Sequence, residues 1–398
     1  MINFPKPRIP TQPVLSFASF FPNQHVRKNI PSVLDAASIK FVTSGRVAIA
    51  LALKQMDIGK GDKVMIPAYH CPAMVEPVIW AGATPIFYKI QSDTSVDLYD
   101  IQTKLDHSVK LLLVTHYFGF PQNLLTIRDF CDKHKIYLLE DCAHSFFGEF
   151  NGKPIGTYGD YAIASTMKFF PIYEGGCLIS ARCSIEQLQL HSAGLSFEIK
   201  ATLNALEKGF EYNRMRLLRK SLTIPIWLKN HIWKSVKHKT SKKISIGPGA
   251  SDGGFGFEER WLHIQSSVFS RYLTKVASKT RITTKRRENY LFLLEALSGL
   301  PGCNPLFPDL PDGVVPHVFP LLVDNSQKVF PLLKHRGVPI IRFGEYLWRG
   351  VDETVCAISM NLSRNLLQFP CHQELKSEEK EWMIAQIRKV FLQAKVTR

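Results

Sequence analysis

The chain has 398 residues, 50 of them Lys or Arg against 34 Asp or Glu, for a formal net charge of +16. Its hydrophobic share of 45% is ordinary for a globular protein, and its length exceeds what one hydrophobic core usually serves, so a large and a smaller domain are expected. No apolar run has the length of a membrane span, and Met1 to Pro13 has polar and proline residues where a signal peptide needs an apolar core, so a cytoplasmic protein is expected.

In chain order, Arg46 to Met56 has helical spacing, Lys63 to Ile66 reads as a strand, Pro72 to Ala81 as a helix and Thr84 to Tyr88 as a strand. Helix 97–105, strand 110–115, helix 123–134 and strand 136–140 continue the alternation, and Tyr161–Ala164 is a further strand. Repeated βα units imply an α/β fold with a mainly parallel central sheet and helices on both faces. After about residue 255 the pattern changes to a long helix around Arg286-Arg287-Glu288-Asn289-Tyr290, strands near 317–323 and 338–341, and a terminal helix near 377–395. The expected division is a large domain over 1–190, a basic Trp-containing insertion over 191–254 and a small α+β domain over 255–398. The eight cysteines, at 71, 131, 142, 177, 183, 303, 356 and 371, form no Cys-x-x-Cys pair and read as reduced thiols, with no metal site among them.

Two strand ends carry the chemistry. Ile136-Tyr137-Leu138-Leu139 runs into Glu140-Asp141, and Tyr161–Ala164 runs into Ser165-Thr166-Met167-Lys168, with Glu174-Gly175-Gly176 just after. Open α/β sheets place ligand groups at the carboxyl ends of their strands, so a carboxylate and an amine 27 residues apart are delivered to one crevice. Pyridoxal phosphate (PLP) needs that pair: an amine to hold its aldehyde as a Schiff base, and a carboxylate to keep its ring nitrogen protonated.

At these residues the chain resembles the DegT/DnrJ/StrS sugar aminotransferases of the aspartate-aminotransferase superfamily, PLP enzymes of fold type I. Glu140-Asp141-Cys142-Ala143-His144-Ser145, Gly156-Thr157-Tyr158-Gly159-Asp160 and Lys168 through Gly176 carry the likeness. Ser44-Gly45-Arg46, Pro67-Ala68-Tyr69, Ala81-Gly82-Ala83-Thr84-Pro85 and Leu367-Gln368-Phe369-Pro370 extend it. The resemblance implies Lys168 and Asp141 as catalytic residues on PLP, with Ser44, Gly45, Arg46 and Ser165 at its phosphate. Taken alone, Ser44-Gly45 reads more simply as a helix N-cap, and the resemblance reverses that order. Arg46 replaces the family's usual threonine. An aromatic residue is expected over the ring: strict alignment places Cys71 there, so Tyr69 or His70 has to reach over, and Tyr69 is favoured. His144 takes the place of a glutamine or histidine near the cofactor, and His116 is either a contact or a strand-end structural residue.

The link between Gly159-Asp160 and Lys168 is two residues shorter than in the family's common form. Tyr212-Asn213-Arg214-Met215 is a scrambled echo of a family segment and is read as chance. A separate feature is the stretch 212–251, with ten Lys or Arg and no acidic residue, in which Trp227 and Trp233 alternate with lysines. Such a segment suits an anionic membrane surface, and equally a solvated basic insertion; nucleic acid ranks last, without a recognised motif.

The expectation is therefore a PLP-dependent aminotransferase. By resemblance, glutamate is the donor, a keto sugar on a nucleotide is the acceptor, polysaccharide or secondary-metabolite biosynthesis is the setting, and a homodimer is the assembly. A PLP lyase or dehydratase would keep most of the pocket, but the family's dehydratases replace the lysine that is intact here. A non-catalytic PLP-fold protein at the membrane surface is the other alternative, and it leaves Asp141 and Lys168 without a purpose.

Overall fold

Val64–Ile66, Leu111–Val114 and Leu138–Leu139 have no exposed surface, so both faces of these strands are covered. Continuous apolar strands of this kind belong in a parallel sheet between helical layers. The computed structural model describes residues 4–21, 31–221 and 256–396. The strands are β1 (Ser38–Val42), β2 (Lys63–Pro67), β3 (Thr84–Tyr88), β4 (Val109–Thr115) and β5 (Tyr137–Cys142). A small hairpin, β6 (Glu149–Phe150) and β7 (Lys153–Pro154), precedes β8 (Tyr161–Ala164) and β9 (Gly176–Ser180). The large sheet has the order β1-β9-β8-β5-β4-β2-β3. It is parallel from β8 to β3, whereas β9 runs antiparallel to both neighbours. The connection from β8 to β9 holds no crossover helix, and such short links suit antiparallel neighbours.

Helices α1 (Gly45–Gln55), α2 (Pro72–Trp80), α3 (Leu98–Lys104) and α4 (Leu124–His134) follow the expected alternation. α1 buries every residue from Val47 to Leu53, and the Ser44 hydroxyl accepts from the Val47 N–H to cap it. Then come α5 (Leu195–Glu211), α6 (Arg216–Ser221), α7 (Val268–Val276) and α8 (Lys279–Leu297). The C-terminal part builds an antiparallel sheet of β10 (Cys303–Pro305), β11 (Val318–Val323) and β12 (Leu366–Pro370), with α9 (Ser326–His335), α10 (Glu353–Asn365) and α11 (Ser377–Val396) around it. The strand expected over 338–341 is absent. Only Ile341 bridges to Gln368, since Pro339 offers no N–H to a ladder. One core joins both sheets, with Tyr69, Tyr117 and Phe118 packed in the same cluster as Phe319, Leu321 and Phe369.

An N-terminal arm lies against the C-terminal part. The Arg8 N–H donates to the Gly337 carbonyl (2.9 Å), His372 Nε2 lies 3.0 Å from the Pro10 carbonyl oxygen, and the Ser16 hydroxyl donates to Glu374 (2.7 Å). Arg214, from the scrambled echo, is buried and donates to the Glu374 carbonyl and to Glu379, a structural use. Residues 222–251 of the basic stretch, and with them the membrane-surface reading, lie outside the described residues. No described helix is long and apolar enough to cross a membrane.

Candidate active site

β5 and β8 are adjacent and parallel, with Asp141 opposite Ile163 and Cys142 opposite Ala164, so Asp141 and Ser165 lie at the same end of the sheet. The 3-10 turn Thr166–Lys168 then carries the lysine into a cleft of about 330 Å³, which Cys71, His144, His317, Phe343 and Gln12 also line. The Asp141 carboxylate is buried, and its Oδ1 accepts from the Ala143 N–H at 2.9 Å. Burial pushes this carboxyl up from its ordinary range, and the Ala143 N–H and the charge of Lys168 act against that rise.

Glu140, the neighbour of Asp141, holds the turn between the strands. Its carboxylate accepts from the N–H groups of Gly156, Tyr158 and Gly159 at 3.0, 2.8 and 2.6 Å. His116 Nδ1 accepts from the Gln122 N–H, which places the ring proton on Nε2, 3.0 Å from Glu140. His116 is thus a strand-end structural residue, the question the sequence left open. Across the site, Gly175 (φ +127°) and Gly176 pack β9 against the start of α1; a Cβ on Gly176 would lie 2.5 Å from the Ser44 carbonyl carbon. The N-terminus of α1 is kept clear by that absence.

Arg46 stands in the first turn of α1, with its guanidinium on Glu76 (3.0 Å) and the Gly256 carbonyl (3.1 Å). Ser165 is buried at the end of β8. In the loop after β2 it is Cys71 that faces the cleft. Tyr69 is fully buried, stacked on Tyr117 at 5.4 Å and edge-on to Phe343 at 5.0 Å, and is not among the cleft-lining residues. His70 lies behind the wall, stacked on Phe87. His144 reaches the cleft: its Nδ1 accepts from the Phe118 N–H, and its ring is sandwiched between Phe118 (5.5 Å) and His317 (4.8 Å). Burial holds both imidazoles neutral, with pKa values well below the ordinary one.

Sequence reasoning missed His317 and Phe343. Both come from the C-terminal part and carry no motif; a histidine opening an apolar strand was the only available sign. The buried Nδ1 of His317 and Oγ1 of Thr166 have no partner among the described residues.

Residues 32–388 match the DegT/DnrJ/EryC1/StrS aminotransferase family. The chain belongs to this family, in the fold type I superfamily of PLP enzymes. Among curated members it is similar to the GDP-perosamine synthase of Vibrio cholerae, 34% identical over 145 residues, 35% of this chain and 39% of that protein. It is also similar to the UDP-N-acetyl-3-dehydro-alpha-D-glucosamine 3-aminotransferase of Acidithiobacillus ferrooxidans, 30% identical over 36% of this chain and 40% of that protein. The chain spans about two fifths of the length of these relatives in the matched region. Its fold is that of Helicobacter pylori PseC, an aminotransferase in pseudaminic acid biosynthesis (TM-score 0.65, 16% identity, 95% of this chain and 100% of that one). It is also that of a sugar aminotransferase from Streptococcus pneumoniae in its PMP form (0.64, 15%, 93% and 94%).

The family's cofactor is PLP, and the residues fit it. A buried carboxylate and a lysine stand at neighbouring strand ends, a helix N-terminus is held open by Gly176, and partnerless polar atoms lie at Thr166 and His317.

Proposed function

We propose that this chain is a PLP-dependent aminotransferase that moves an amino group from glutamate to a keto sugar carried on a nucleotide, working as a homodimer. The observation that carries the reading is the placement of Lys168 and the buried Asp141 at the ends of adjacent parallel strands, close enough for the lysine's charge to act on the carboxylate. The names of the curated relatives, which act on GDP- and UDP-linked sugars, support the acceptor class.

Bound PLP supplies an electron sink for charge that develops at the substrate carbon. The residues of the chain do the rest. Asp141 would hold the ring nitrogen's proton, since an anion in a low-dielectric site strongly favours a cation beside it. The Lys168 amine would carry the proton between the substrate carbon and C4′ of the cofactor. The N–H groups opening α1, with the hydroxyls of Ser44 and Ser165, would hold the phosphate. Arg46 would add positive charge there, reduced by its pairing with Glu76. Cys71 and His144 would line the ring's surroundings, with Tyr69 supporting that wall from behind.

The visible spectrum of the purified protein tests the reading. Added glutamate should convert the lysine-bound PLP band to that of the pyridoxamine form, and Lys168→Ala should lose both the band and the response. If wild type and Lys168→Ala bind PLP as the same unlinked aldehyde, the assignment of Lys168 is wrong.

A further inference from the structure

Arg286, on α8, is fully buried, yet no carboxylate pairs with it among the described residues. Its hydrogen-bond partners among the described residues are all neutral. Nε donates to the Gln373 side chain (3.1 Å), Nη1 to the carbonyls of Pro316 (3.3 Å) and His317 (2.8 Å), and Nη2 to the carbonyl of Lys168 itself (2.8 Å). The guanidinium also lies 4.4 Å over the Phe169 ring. Gln373 completes the arrangement, its side-chain N–H donating 2.8 Å to the Phe169 carbonyl. Two consecutive carbonyls, those of Lys168 and Phe169, are thus gripped by side chains more than 100 residues away in sequence.

A buried cation without an anion is costly, and burial lowers the Arg286 pKa to about 10. A planar fork of five N–H groups is what four scattered acceptors require, and lysine cannot reproduce it. The acceptors are also informative. One is the carbonyl of Lys168, and another is the carbonyl of His317, which lines the same cleft. One rigid group therefore fixes the backbones of two cleft residues from different parts of the fold.

We propose that Arg286, with Gln373, is a positioning residue for Lys168: the clamp on the Lys168 and Phe169 carbonyls fixes where the reactive amine stands relative to His317. This rests on the reading of Lys168 as the PLP-binding lysine. Neither residue lines the cleft, so the clamp acts through backbone placement alone.

The test uses full-length apoprotein mixed with PLP and quenched at intervals with borohydride, which reduces the lysine–PLP imine; mass spectrometry then gives the fraction of chains carrying a pyridoxyl group on Lys168. Arg286→Lys keeps the charge and loses the fork. Its trapping rate should fall about 100-fold, the scale of an ångström-sized misplacement. Its affinity for pyridoxamine phosphate, which has no aldehyde to link, should stay near that of wild type. A merely structural role would lower the melting temperature and leave the trapping rate of the folded fraction alone. Gln373→Met, which leaves the guanidinium in place, should slow trapping to a lesser degree and keeps the test decisive if Arg286→Lys fails to fold. Wild-type rates in either folded variant overturn the clamp. Absence of any pyridoxyl group on Lys168 in wild type sinks the lysine assignment and the clamp together.

Discussion

His70 Nε2 accepts a hydrogen bond of 2.9 Å from the Trp348 N–H and so ties the loop after β2 to the segment that carries Phe343, Gly344 and Tyr346 along the cleft. Its Nδ1 lies 3.1 and 3.0 Å from the Pro67 and Ala68 carbonyls, which places the ring proton there. The imidazole is neutral in the fold, and burial lowers its pKa from 6.5 to about 4. Between these values the unfolded chain binds the proton and the folded chain does not. Stability from this group is therefore full above pH 6.5, falls as the pH drops toward 4 and is level below. His70→Gln should flatten the decline in melting temperature between pH 6.5 and 4, though not abolish it, because His372, lowered to about 3, also titrates late. An unchanged slope in the variant would show that His70 is already protonated in the fold.

Asp141→Asn keeps the shape and removes the charge. Turnover should fall about 100- to 10,000-fold, the usual range for losing control of one proton, while borohydride still traps PLP on Lys168. Steady-state rates beside the trapping yield read the two effects separately, and near-wild-type turnover would remove Asp141 from the mechanism.

Glu140→Gln places an amide N–H where three backbone N–H groups and His116 now converge on a carboxylate. Urea denaturation should show a loss of about 1–3 kcal/mol, the cost of leaving buried donors unpaired. A gain in stability would mean that the turn between β5 and β8 does not depend on the charge.

Gly175→Ala meets φ +127° and a collision with Thr166 Oγ1. Backbone strain alone should cost about 1–3 kcal/mol. Because the same glycine pair packs β9 on the start of α1, affinity for inorganic phosphate, read by calorimetry, should weaken in parallel. Unaltered affinity would separate the packing from the proposed phosphate site.

The parallel strands β2, β3, β4, β5 and β8 were legible because they are mostly apolar: Tyr161–Ala164 lies where its residues place it, and α1, α2 and α4 begin and end within a residue or two of their expected bounds. Asp141 and Lys168 were legible because local spacing fixes them to strand ends. The reversed direction of β9 depends on the brevity of a link, and the missing strand at 338–341 on a single proline. His116 stayed undecided because its partners, Gln122 and Glu140, are ordinary residues until folding brings them to one ring. Arg286 looked like one charge among several on a long helix; nothing local indicates that it turns inward to carbonyls at 168, 316 and 317.

The N-terminal arm has a consequence for the order of assembly. Gln12 lines the cleft, but the arm that bears it is anchored to Gly337, His372 and Glu374. On the ribosome, the strands that present Asp141 and Lys168 emerge long before those anchors, as domains form in the order of synthesis. Residues 8–16 must therefore wait for residues 337–374, and Gln12 joins the cleft only after those anchors have been made.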